Sequence, residues 1–192
     1  MAKKYEIKPD RPGSGLLQKL YLTRLQRRKV LKWALYALLL LALSLIQDVI
    51  LCQTRLFGAT TELVPCGIFL ICVTVGAEAG CVFSMVAAFI YLFSGTAAGY
   101  YCVVFITVLA VAVTLLRQTY LRRSFSSTML CVAVAMVSYE LLVFAFGWFL
   151  GLTTPARLGG FFLTALLSIA VAPILYPVVN AIGKKGGDVW ND

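Results

Sequence analysis

Hydrophobic positions along this chain come in long continuous runs, not in the alternating pattern of a half-buried strand or the one-faced pattern of a surface helix. Six runs stand out, at 33–51, 63–75, 80–93, 99–116, 128–150 and 160–182. A helix that crosses a bilayer needs about 20 mostly apolar residues, with a range of about 17–25. The runs at 63–75 and 80–93 fall below it. The pattern predicts an all-α, polytopic helical membrane protein with six transmembrane helices. Its alternative is four spans plus one re-entrant hairpin made from the second and third runs.

The polar residues between the runs separate the even from the odd counts. Lys3, Lys4, Lys8, Arg11, Lys19, Arg24, Arg27, Arg28, Lys29 and Lys32 precede the first run. Arg117, Arg122 and Arg123 lie between the fourth and fifth, and Lys184 and Lys185 follow the sixth. Six crossings with both termini cytoplasmic put all of these on one side and leave only Arg55 and Arg157 on the other, as the positive-inside rule requires. An odd count would place one terminal basic cluster outside. The expected organisation is a basic cytoplasmic segment over 1–32, a six-helix membrane domain over 33–182 and a short cytoplasmic tail over 183–192. The expected location is a cell membrane. The first apolar run is longer than the 7–15 residues of a signal-peptide core and no small-residue cleavage site follows it, so no cleaved leader is expected. Residues 16–32 read as a basic helix that either lies on an anionic leaflet, each cation contributing about 1 kcal/mol, or serves only as an orientation signal.

Composition agrees. Hydrophobic residues make up 61% of the 192 positions and charged residues 13%, with a mean hydropathy of +0.91. Soluble domains run at about 45–50% and about 25%, and they cannot hide this much apolar surface. A soluble globular domain, a disordered chain, a coiled coil and a disulfide scaffold are excluded. The net charge of +9 is explained by orientation, so no nucleic acid is expected. There is no histidine, which removes the usual general base and the commonest metal ligand. The six cysteines, Cys52, Cys66, Cys72, Cys81, Cys102 and Cys131, show no CxxC spacing, so no metal is expected. No phosphate-binding glycine loop, paired-carboxylate site or nucleophile–base pair is visible. The expectation is a non-enzyme without a cofactor.

Four features carry more specific information. Gly76, Gly80, Ser84 and Ala88 recur every four residues and share one helix face. Such small-residue stripes let helices in lipid pack closely, either inside the bundle or against a partner. Glu140 sits in the middle of the fifth run, where an ionised carboxylate costs several kcal/mol. It is expected to face the bundle or be protonated, with Tyr139, Ser138, Thr164, Ser168 and Asn180 as candidate neighbours. Its role is either contact with a partner or solute, or a hydrogen bond that fixes helix rotation. Gln47 and Asp48 form a polar pair near the far end of the first run. Pro173 and Pro177 interrupt the sixth, where a kink is expected.

Four stretches then resemble a known family. They are LIQDVILCQTRLFG after the first leucine-rich span, TELVPCGIFLICVTVGAEAGCVFSMVAAFIYLFSG over the second and third runs, SYELLVFAFGWFLG in the fifth, and APILYPVVNAIGKK in the sixth. Together they resemble the bacterial rod shape-determining protein MreD family. The resemblance implies a scaffold or regulatory subunit of the cell-wall elongation machinery with no reaction of its own. It would bind an MreC-like membrane protein, and through it MreB, RodA and a class B penicillin-binding protein. That family's fold is similar to the substrate-binding subunits of energy-coupling-factor vitamin transporters, which supplies the alternative function, substrate capture.

Overall fold

A computed structural model describes residues 24–51, 59–95, 97–121 and 124–185. The described residues are all-helical apart from short links. Helix α1 spans Arg24–Ile46 and passes into a π-helical turn at Gln47–Leu51. Then follow α2 (Leu63–Val75), α3 (Ala77–Phe93), α4 (Tyr101–Tyr120), α5 (Phe125–Phe149) and α6 (Leu158–Lys185), the last preceded by a 3-10 turn at Pro155–Arg157.

Local chemistry sets the boundaries. Pro65 lies in the first turn of α2, where a missing N–H costs nothing. Gly76, at φ +113, ends α2 and opens α3. Its N–H donates to Cys72 O at 3.0 Å, and its own carbonyl accepts from Gly80 N–H at 2.9 Å. That conformation lies outside the range of ordinary side chains, and it folds α3 back along α2. The Ser124 hydroxyl caps α5 by accepting from Ser127 N–H at 3.2 Å. Gly151, at φ +71, closes it.

The architecture is one helix inside a ring of five. Every residue of α2 from Leu63 to Val73 is buried, and α2 packs against each of the other five helices. A helix that is apolar all round suits such a buried position. The outer helices bury one side only. Leu38, Leu41 and Leu45 of α1, Val82, Met85, Val86 and Ile90 of α3, and Val104 and Val108 of α4 are exposed. Apolar surface on that scale suits lipid and not water. The stretches 27–49, 101–120, 125–149 and 155–185 are long and apolar enough to cross a membrane, while α2 and α3 are shorter apolar helices. The chain is thus a membrane-embedded helical protein.

One difference from the sequence reading has a physical cause. Residues 24–32 are not a separate surface helix; they are the first turns of α1, because nothing between Lys29 and Trp33 breaks a helix. Residues 16–23 lie outside the described residues. The first helix reaches its expected end at Leu51, its last five residues forming the π-helical turn in which Gln47 is buried. The helix α6 continues through both Pro173 and Pro177.

Candidate functional site: a polar cluster at the buried end of α2

The helix α2 has 13 residues. At about 1.5 Å per residue it is roughly 20 Å long, against about 30 Å for the hydrocarbon core of a bilayer. Its two ends are therefore held by the surrounding helices. At the C-terminal end, Arg117 of α4 donates from Nη1 to the Val73 carbonyl, placing a cation where the helix dipole is negative. At the N-terminal end, Gln47 Oε1 accepts from Val64 N–H at 2.9 Å. Ser168 Oγ of α6 accepts from Glu62 N–H at 2.9 Å and donates to Thr164 O at 2.8 Å. Both interactions satisfy N–H groups at a helix start that would otherwise lack partners.

Those tethers bring Glu62 into the bundle. Its carboxyl lies beside the hydroxyls of Tyr91 in α3 and Tyr139 in α5, and within electrostatic reach of Glu140 and Cys102. Gln47 neighbours Tyr91. Tyr91 and Tyr139 are each 1% exposed, and Glu140 is 3% exposed. Glu62 Oε2, Glu140 Oε1, Tyr91 Oη and Tyr139 Oη are buried, and none has a hydrogen-bond partner. Buried polar atoms are normally paired, so these four unpaired atoms, brought together from three segments, single the cluster out as the candidate site. On its other side Glu140 lines a crevice of about 60 Å³ between α5 and α6, with Val137, Leu141, Phe144, Phe161 and Ala165. Tyr91 and Cys102 lie close to the ends of α3 and α4, whereas α5 and α6 run on past the cluster.

The sequence candidates distribute as follows. Gln47 is 6% exposed and belongs to the cluster. Asp48 stays next to it, accepting from Ser44 Oγ at 3.4 Å. Glu140 faces the bundle. The charged group that acts on it is Glu62, which was not among the candidate neighbours named from the sequence. The small-residue stripe lies on the inner face of α3. Gly80, Ser84 and Ala88 are buried, and a Cβ on Gly80 would stand 3.3 Å from the Cys72 backbone. The stripe therefore packs α3 against α2. Pro173 is exposed and Pro177 faces outward with it. Cys66, Cys72, Cys81, Cys102 and Cys131 are free thiols; Cys52 lies outside the described residues. No group of three or more Cys, Asp or Glu side chains suited to a metal occurs among the described residues.

Glu62, Tyr91 and Cys102 were not singled out from the sequence. Glu62 reads there as the end of an outer loop. The available signal was the shortness of the second run, since a helix too short to span cannot carry both its ends to water.

The comparisons add no relative: no protein-family model, curated protein or solved structure matches this chain.

Proposed function

We propose that this chain is a scaffold or regulatory subunit of the bacterial cell-wall elongation machinery, an MreD-like protein of the cell membrane that binds an MreC-like partner. Six crossings with both termini cytoplasmic and no reaction of its own complete the reading. The observation that carries it is where the resembling stretches meet. LIQD supplies Gln47, the TELVP–IYLFSG stretch supplies Glu62, Val64 and Tyr91, and SYE supplies Tyr139 and Glu140. These stretches are far apart in sequence and come together at the N-terminus of α2. The fourth stretch supplies Val179, whose carbonyl accepts from Tyr36 Oη at 3.4 Å. The basic residues support the orientation. The segment 27–32, Arg117, and Lys184 with Lys185 all occur at the end of the bundle where α1 begins and α4 and α6 finish. Anionic lipid is the partner proposed for the basic N-terminal segment, since each cation near such a surface adds about 1 kcal/mol.

Depletion in a rod-shaped host tests this reading. Rounding of the cells, with co-purification of an MreC-like protein, is the expected result. Unchanged rods and no such partner would refute it.

One observation favours a second reading, the substrate-capture subunit of an energy-coupling-factor transporter. Polar and aromatic groups converge at one level of the bundle, as a small-molecule site requires. A vitamin released on denaturing the purified chain, together with normal cell shape on depletion, would favour it over the scaffold.

A further inference from the structure

We infer that the cluster at the N-terminus of α2 is a binding site for a primary ammonium group carrying a short apolar chain. The inference stands on the geometry of the cluster and holds under either functional reading.

Two carboxyl groups, Glu62 and Glu140, lie within electrostatic reach of one another in the bundle. No Lys or Arg among the described residues acts on either of them. The cation at the other end of α2, Arg117, is engaged with Val73, roughly the length of α2 away. Two such carboxyls cannot both ionise in low dielectric without a counter-ion, and a cation between them lets both do so. The remaining walls choose among cations. Tyr91 and Tyr139 present hydroxyl oxygens that are 99% buried by residue and have no partner. Phe69 stacks edge-on to Tyr139 at 6.2 Å. An ammonium group donates up to three hydrogen bonds, which matches two carboxyl oxygens and a phenol oxygen. It also gains from neighbouring aromatic rings.

The crevice between α5 and α6 accommodates the rest of the ligand. It shares Glu140 with the cluster, and its other walls are aliphatic or aromatic. A cavity of about 150 Å³ holds a benzene ring. Some 60 Å³ suits two or three carbons. The rim residues Leu141, Leu158 and Phe162 are exposed, so the crevice opens sideways toward lipid, and a small amine can enter from the bilayer.

The test is thermal unfolding of the purified full chain in detergent with propylammonium chloride, sodium chloride or sodium propanoate at equal ionic strength. Propylammonium alone is expected to raise the unfolding temperature, by about 3 °C near saturation. The rise should vanish in Glu62→Gln and Glu140→Gln and shrink in Tyr139→Phe, which removes one oxygen and keeps the packing. If a carboxyl variant fails to fold, Tyr139→Phe decides the matter. No rise in the unaltered chain would mean that ordered water fills the cluster, and would overturn the inference. So would an equal rise with sodium, which would indicate a metal ion, or an equal rise with propanoate, which would indicate apolar filling alone. Arg55 lies outside the described residues. A rise confined to Arg55→Gln would show that the chain's own arginine occupies the site, and would also overturn it.

Discussion

Gln47 is bonded to Val64: its side-chain oxygen accepts the backbone N–H in the first turn of α2 at 2.9 Å. The bond joins the π-helical end of α1 to the start of the buried helix, and both partners are shielded from water. Replacing Gln47 by Leu leaves that N–H buried and unpaired, at a cost of about 1–3 kcal/mol. Gln47→Glu keeps an acceptor in place. Thermal unfolding in detergent should rank the chains as unaltered, then Gln47→Glu, then Gln47→Leu. Equal stability of the unaltered and Leu forms would show that the bond is absent.

Gly80 allows α3 to lie against α2. An added Cβ would press on the Cys72 backbone at 3.3 Å, and the Cys72 thiol already donates to Gly80 O at 3.3 Å. Gly80→Ala should lower stability by about 1–3 kcal/mol through overpacking, and Gly80→Leu should prevent assembly of the bundle. Cys81 is the next residue and is exposed, so Cys81→Leu should be tolerated. Size-exclusion profiles of the three variants check this. A monodisperse Gly80→Leu protein would move α3 away from α2.

Arg117 closes the other end of α2. It is 8% exposed, and its hydrogen bond to Val73 O is charge-assisted. Loss of such a bond costs about 1.5–3 kcal/mol. Arg117→Ala should therefore destabilise the chain by that amount, and Arg117→Lys by less, since it retains one donor. Urea or thermal unfolding reads the difference. If Arg117→Ala unfolds like the unaltered protein, the arginine serves orientation only.

Ser168 carries two bonds at once, from Glu62 N–H and to Thr164 O. Ser168→Ala removes both and leaves the half-buried Glu62 N–H without this partner, at a cost of about 1 kcal/mol. Ser168→Thr keeps the hydroxyl and should recover most of the loss. Unfolding temperatures of the two variants check this, and equal loss in both would point to the side chain's volume rather than its bonds.

The helices were legible because each is written as a run of apolar residues with polar breaks, and those breaks need no tertiary information. Gly76 and Pro65 fix the ends of α2 for local steric reasons. The inward side of the Gly80–Ser84–Ala88 stripe was not legible, since a small-residue face looks the same whether its neighbour is α2 or another chain. Glu140 was conspicuous because a lone acid in an apolar run has no local explanation. Glu62 was not, because it sits beside threonines at the edge of a run and resembles an ordinary loop acid. Its place in the interior follows from the shortness of α2 and from the hold of Gln47 and Ser168 on its first turn. Those are long-range relations that periodicity does not encode. Tyr91 and Tyr139 are hidden in the same way, as aromatic residues among many in apolar helices.

The central claim is that the start of α2 lies inside the bundle, with Glu62 half-buried and its Oε2 atom turned away from water, while Thr60, two residues earlier, is exposed. A chain with its six native cysteines replaced, carrying either Thr60→Cys or Glu62→Cys, can be embedded in nanodiscs and treated with a bulky membrane-impermeant maleimide. The account predicts rapid labelling at position 60 and much slower labelling at position 62, which denaturation brings to the same rate. Equal labelling of the two positions in the folded protein would contradict it.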